Sequence, residues 1–553
     1  MMYRRSFLKK TGAIGFGAYT FSHAAIVQSK ALTTDDVEPL LADSPIQTIN
    51  PSQVQSSEFN GDDINRTHEI LWNVDGYLQK KGGVPEPTVF SQYVVAGGGM
   101  SGLLSTYFLE TDSVYLLEQA DRFGGNSKGE KIQDSEYSIG AAYVTIPDEN
   151  SDIDLFYKKI GVSELFRLEA DADTKTKFNN LLITDFWKGV TDPQNAQDFV
   201  KVANELRRIY NEAYPDIPWT SDSDLSYEDL CRLDSISFQA WLSHTFGSVH
   251  PHVLEYFQKY CWSSFGGSID ELSAAQVLNF VAAEVDGVIA LPGGNSKIAE
   301  CLYKQIKSKL KDDQVQTGAI VIKIEIQPNG KIWVVYENRH RELFTIECEK
   351  VICAFPKFIA ERVVQQLPEK QFDTIQQVVY RGYCVSNVIF DRAIRSPGFD
   401  VFSLDDQTSS RPTAMEPPQN YLTDICFGSW AQKDQVQNSV WTLYRPLPFD
   451  GARQFLFSPM AHDKHLKKTQ EELSQFMSDL NLEARGILGY RLTRWGHSLP
   501  LAQTGAIAGG MIDIIKAPIQ NKIYFVNQDN WLNPAFECAF TEALRVTREL
   551  TES

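Results

Sequence analysis

The chain has 553 residues, 43% apolar and 22% charged, with 35 Gly and 24 Pro. This globular composition excludes collagen-like, disordered and many-span membrane proteins, and the length suits two interleaved or three ordinary domains. Lys plus Arg is 52 against 71 Asp plus Glu, a net charge of −19, and such a field repels nucleic-acid phosphates and favours small cationic ligands.

The first 31 residues hold Arg4, Arg5, Lys9, Lys10 and Lys30 and no acid. Arg4-Arg5-Ser6-Phe7-Leu8-Lys9 precedes a Gly/Ala-rich apolar run from Ala13 to Val27. The pattern resembles a twin-arginine export signal. That resemblance implies the twin-arginine translocase as a partner, a periplasmic or otherwise exported location in a bacterium, and loading of any cofactor before export. The run is short for a bilayer span and diluted by Gly12, Gly15 and Gly17, so a cleaved signal over 1–31 is expected rather than a retained anchor, with Ala24 as the alternative cleavage point. Residues 32–88 are polar and acidic and read as a surface-wrapping extension with one short helix near His68–Trp72.

Tyr93-Val94-Val95-Ala96 is a buried parallel strand by its apolar, β-branched run, and Gly97-Gly98-Gly99-Met100-Ser101-Gly102 turns it into a helix. Gly97 permits the tight turn, Gly99 lets the backbone approach a pyrophosphate, and Gly102 allows close helix packing. The helix start, at Met100 and Ser101, supplies an anion site. A second strand, Val114–Leu117, ends in Glu118, 21 residues beyond Gly97, where an acid can take the ribose hydroxyls.

The continuation Glu118-Gln119-Ala120-Asp121-Arg122-Phe123-Gly124-Gly125 resembles the flavin-containing amine oxidase and phytoene-desaturase superfamily. The resemblance implies FAD, with Arg122, Gly124 and Gly125 around its diphosphate and Gln119 among the cofactor-binding residues; with no cysteine near Gln528–Asp529, the flavin is expected to be non-covalent. It extends to Gly140-Ala141-Ala142-Tyr143 beside the flavin ring, to Leu291-Pro292-Gly293-Gly294 before a helix, and to the strand carrying Val321 beside adenine. It ends in Ile523–Asp529 and the helix from Phe536 and Glu537, with Asp529 on the ribityl chain. The implied fold is α/β: a Rossmann-like FAD-binding domain interleaved with a mixed sheet-plus-helix substrate domain. The expected order is FAD-binding parts over 89–150, 286–365 and 481–553, a helical substrate part over 151–285, and a substrate sheet over 366–480.

The chemistry is less closely specified. The lysine that many family amine oxidases carry falls by eye at Ser386 or Asn387, and the aromatic-cage tyrosine position is Ala535. Trp495 is a candidate for stacking near the flavin, His497 for acid/base work or a substrate hydrogen bond, and Asn387 for holding a substrate head group; a packed turn and a satisfied sheet edge are their structural alternatives. The leading expectation is an exported FAD-dependent amine or amino-acid oxidoreductase. A desaturase or isomerase of an apolar substrate, and a non-catalytic FAD-fold binder, are the alternatives. The eight cysteines form no Cys-x-x-Cys and read as free buried thiols, no metal site is expected, and His462 and His465 read as a solvated helix face.

Overall fold

In the strand Val89–Ala96, Val94, Val95 and Ala96 are fully buried because both edges and both faces are covered. Val95 pairs in parallel with Leu116 on one side and Ile352 on the other. This computed structural model describes residues 43–405, 409–417, 422–432, 436–482 and 485–552. The twin-arginine segment lies outside the described residues. The first large sheet runs Val315–Gln316, Val114–Leu117, Val89–Ala96, Leu343–Cys353, Ile332–Glu337, Ile320–Ile326, and Ile523–Phe525 adds in parallel to the end of Leu343–Cys353. The helices Met100–Phe108 and Phe536–Glu552 pack on one face through Leu103, Leu104, Phe540 and Ala543.

The second large sheet has eight strands in the order Leu181–Ile183, Lys175–Phe178, Asp400–Leu404, Asp424–Phe427, Val440–Leu447, Tyr380–Phe390, Ile487–Pro500, Asn60–Gly61. Helices Ala196–Glu212, Phe238–Phe246, Pro251–Phe265 and Ala274–Ala283 pack their aromatic faces beside it. Two expected boundaries move. The region expected as helical over 151–285 contributes two strands to this sheet. Ile487–Pro500, placed in the last FAD-binding part, pairs instead with Tyr380–Phe390 over nearly its whole length.

The helix Ala461–Asp479 corrects the reading of His462 and His465 as solvated. Both are buried, because this helix covers the sheet around the Arg445–Glu472 ion pair (2.8 Å). Burial beside Arg445 pushes His465 down to about 3. All eight cysteines are free, six of them buried. Among the described residues no helix is long and apolar enough to cross a membrane.

The N-terminal extension ties the two sheets together. Asn60–Gly61 pairs with Thr493 and Arg494 at the edge of the substrate sheet. The next helices, Ile64–Leu71 and Val74–Lys80, reach the nucleotide sheet. There Arg66 (3.1 Å), Lys81 (3.3 Å) and the Tyr77 hydroxyl converge on the fully buried carboxylate of Glu337.

Candidate active site

Between the sheets lies a cavity of about 2220 Å³, well above the roughly 300–1,000 Å³ typical of pockets for drug-sized molecules. One end is the glycine-rich turn. Gly97 sits at φ +110°, and a Cβ there would meet the Ala354 carbonyl at 2.5 Å; a Cβ on Gly102 would lie 1.8 Å from the Gly97 carbonyl oxygen. These two glycines are required by packing. Gly99 is different: a Cβ on it would meet nothing nearer than the Gly125 Cα at 3.6 Å, yet it would stand in the cavity. Bare backbone at this position is explained by a molecule lying against it.

The opposite wall is zipped to this turn. The Gly124 N–H donates to the Gly98 carbonyl at 2.9 Å, which brings Gly124 and Gly125 against Gly99. Glu118 is buried and faces inward: Oε2 accepts from the Gly98 N–H at 2.6 Å and Oε1 from the Ala120 N–H at 2.8 Å, while the residue lines the cavity. Lining residues also include Met100, Ser101, Gln119, Gly140, Ala141, Ala142, Tyr143, Val321, Phe536 and Glu537. The donor set (bare peptide N–H groups at a helix start, an inward carboxylate, small residues and an aromatic-walled channel) fits FAD.

Three residues assigned to the cofactor stand back from the cavity. Gly102 serves helix packing. Arg122 is buried with Nη1 on the Gly129 carbonyl at 2.9 Å. Asp529 is fully buried and accepts from Lys357 Nζ (2.6 Å), the Lys357 N–H (2.7 Å) and the Tyr380 hydroxyl (2.6 Å). Its neighbours Asn527 and Gln528 line the cavity in its place.

The catalytic candidates separate likewise. Trp495 and His497 line the cavity. Trp495 is anchored by Nε1 to the Ile139 carbonyl at 2.9 Å. His497 stacks on Phe358 (centroids 3.9 Å, 21° apart), and its Nε2 meets the Arg453 guanidinium. Burial and that cation push His497 down to about 3, so near pH 7 it is a neutral acceptor and not a proton carrier. Asn387 is corrected to a structural role: fully buried, it donates to the Ser138 carbonyl and Thr442 Oγ1, both at 2.9 Å, outside the cavity. On its strand, Tyr383 and Val385 reach the cavity instead.

The far end of the cavity holds residues that sequence reading did not single out. Asp171, Glu284, Asp400 and Asp424 line it with Tyr143, Tyr256, Tyr260, Tyr383 and Tyr444. Tyr143 donates to Glu284 Oε1 at 3.1 Å, and Ser263 donates to Asp424 Oδ2 at 2.8 Å. Asp400 lies beside the carboxyl of Glu169, which adds to burial in raising its pKa, while Glu169 Oε1 accepts from the Phe399 N–H at 2.6 Å. Burial raises all of these acids: Glu284 and Asp424 to about 7, Asp171 to about 6, and Asp400 well above the usual carboxylate range. The charged neighbours of Glu284 and Asp400 are other acids, and Asp424 is held by hydroxyl groups. Arg207, on the Asp171 side, is engaged by Asp286 and the Val285 carbonyl. These acids come from four separate segments, and no local motif marks them.

A family model for flavin-containing amine oxidoreductases matches residues 100–508. Oxidoreductase PigB of Serratia sp. (strain ATCC 39006) is 22% identical over 494 residues, covering 79% of this chain and 71% of the relative. An L-amino-acid oxidase of Sistrurus catenatus edwardsii is 23% identical over 342 residues, covering 58% of this chain and 62% of the relative. Among solved structures, wild-type putrescine oxidase bound to putrescine superposes with a TM-score of 0.58 at 12% identity, covering 84% of this chain and all of that one. Cyclohexylamine oxidase from Brevibacterium oxydans IH-35A gives 0.59 at 13%, covering 83% and 99%. These likenesses support the two-domain fold expected from the sequence.

Proposed function

This chain belongs to the family of flavin-containing amine oxidoreductases, and from that premise we propose that it oxidises the C–N bond of a cationic amine that lacks an α-carboxylate. The chain is an FAD-dependent oxidoreductase. The observation that carries the substrate reading is the acid-and-tyrosine chamber of Glu284, Asp400 and Asp424, whose charged neighbours are acids rather than lysine or arginine. A buried carboxylate substituent would need a cation there, and an ammonium would be drawn in. An apolar polyene or porphyrinogen would leave these acids without a partner, which speaks against the desaturase reading.

When bound, FAD accepts the two electrons and the hydrogen that leave the carbon beside nitrogen. The chain's own groups prepare that event. Gly97, Gly99, Gly124 and Gly125 line the cavity where their bare backbone would hold the cofactor, and Glu118 would take its ribose. Tyr143, Tyr444, Trp495 and Phe536 wall the channel, hold an alkyl chain and exclude water. An ammonium entering beside Glu284 and Asp424 favours their ionised forms, so binding expels protons from the chamber. Glu284, near half-ionised at neutral pH and held by the Tyr143 hydroxyl, is suited to take the ammonium proton before oxidation.

The purified protein should carry a flavin spectrum that bleaches anaerobically with mono- or diamines and not with L-amino acids. Bleaching by L-amino acids, or by apolar polyenes alone, would overturn the substrate reading. Export is proposed on Arg4-Arg5-Ser6-Phe7-Leu8-Lys9. Replacing both arginines by lysine should leave the folded protein in the cytoplasmic fraction.

A further inference from the structure

Lys128 carries an ammonium group that has no hydrogen-bond or ion-pair partner among the described residues. It follows the turn at Gly124–Ser127, its stem passes Gly124 (3.3 Å from where a Cβ would stand), and its backbone carbonyl accepts from the Ile139 N–H at 3.1 Å. Only 5% of the residue is exposed, and it lines the same end of the cavity as Gly99, Gly124 and Glu118. Its Nζ makes no hydrogen bond or ion pair among the described residues. The charged groups around it are Glu118, Asp121, Asp62 and Arg122. Glu118 is spent on two backbone N–H groups and Asp62 Oδ2 accepts from the Gly496 N–H at 2.7 Å. Arg122 points to Gly129, and Asn126 Nδ2 is committed to the Ser498 carbonyl at 3.1 Å.

A buried cation left unpaired is destabilising unless a ligand supplies the counter-charge. The cavity beside it is edged by the bare Gly99 backbone and the N-terminus of the nine-residue helix Met100–Phe108, both suited to phosphate oxygens. We infer that Lys128 is the positioning cation for the cofactor's diphosphate, taking the part that Arg122, turned away from the cavity, does not fill. The inference rests on the FAD reading and adds to it the residue that neutralises the phosphates. Lys128 is thus a determinant of FAD over riboflavin, which has the same ring and no diphosphate.

The test titrates FAD and riboflavin into the deflavinated protein and its K128M and K128R variants, following flavin fluorescence. For K128M the FAD dissociation constant should rise about tenfold or more, as expected for losing a charge-assisted contact, with riboflavin binding unchanged. K128R should retain most of the FAD affinity. The apo form of K128M should melt at the same temperature as the parent or higher, since an unpaired buried charge has been removed, which separates a binding effect from a folding one. A rise of less than fivefold for FAD, or an equal loss of riboflavin, overturns the assignment. A parent protein that takes up no FAD would overturn the family-based reading and this inference with it, an outcome distinct from a parent that binds FAD and a variant that binds it equally well.

Discussion

The Tyr143 hydroxyl donates to Glu284 Oε1 at 3.1 Å, joining a residue of the flavin-side Gly140–Tyr143 segment to an acid at the substrate end of the cavity. Tyr143 is itself raised well above its usual range by burial and by Glu284, so it remains a donor through neutral pH. The pair ties the Gly140–Tyr143 segment to the acid chamber through one hydrogen bond. Glu284→Gln should raise KM for a cationic amine roughly 10- to 100-fold, about 1.4–2.8 kcal/mol of lost binding, and Asp424→Asn should act in the same direction. Steady-state kinetics with charged and uncharged amines of equal length checks this: the effect should vanish for the uncharged analogue.

The same acids set a pH dependence with a definite sign. Glu284 and Asp424 ionise near 7 in the folded protein, above their ordinary values of 4.5 and 3.8. A raised folded value means stabilisation fully present below the unfolded value and lost as pH rises through 7, on the order of 3 kcal/mol apiece. The melting temperature of the substrate-free protein should therefore fall between pH 5 and pH 8. Substrate affinity should move oppositely and tighten over the same interval. A thermal-shift series with and without a non-oxidisable ammonium compound reads both, and the protection by that compound should be larger at pH 8 than at pH 5.

Two glycines of one motif should fail in different ways. Gly99→Val places atoms in open cavity, 3.6 Å or more from the facing loop at its Cβ, and should yield a folded, colourless protein. Gly102→Val would drive Cβ to 1.8 Å from the Gly97 carbonyl oxygen and should prevent soluble expression. Circular dichroism together with the visible spectrum distinguishes them.

Lys357 and Asp529 form an ion pair at 2.6 Å with both side chains fully buried. Lys357→Met removes one partner and leaves the carboxylate with backbone and tyrosine donors alone. The expected loss is about 3–5 kcal/mol, read by denaturant unfolding. Asn387→Ala, by contrast, should cost about 1–3 kcal/mol of stability and leave kcat and KM unchanged, because its amide contacts only the Ser138 carbonyl and Thr442.

The nucleotide half was legible because its chemistry is local. Gly97, Gly99 and Glu118 are separated by one helix and one strand, so spacing alone brings them together, and the inward Glu118 carboxylate agrees with that reading. Arg122 and Asp529 were assigned by pattern, but direction is decided by neighbours: Gly129 is within reach of one guanidinium nitrogen and Lys357 of the other residue's carboxylate. The chamber was not legible. Asp171, Glu284, Asp400 and Asp424 meet through sheet and helix packing at long sequence separation, and each alone resembles any other surface acid. The sheet membership of Ile487–Pro500 was likewise not legible, because it rests on pairing with Tyr380–Phe390 about a hundred residues away, and Arg491 on that strand is buried on Glu130 at 2.6 Å.

Glu337 lies in the nucleotide sheet and is held by Arg341 (3.4 Å) from its own hairpin, but its other partners, Arg66, Lys81 and Tyr77, precede the glycine-rich turn. The family match begins only at residue 100. Trimming the chain to that homology limit would leave the buried carboxylate with Arg341 alone of its three cations and uncover one border of the substrate sheet at Thr493 and Arg494. The smallest self-sufficient unit of this enzyme therefore starts well upstream of its recognisable domain, and the leader of an expressed fragment belongs ahead of Asn60.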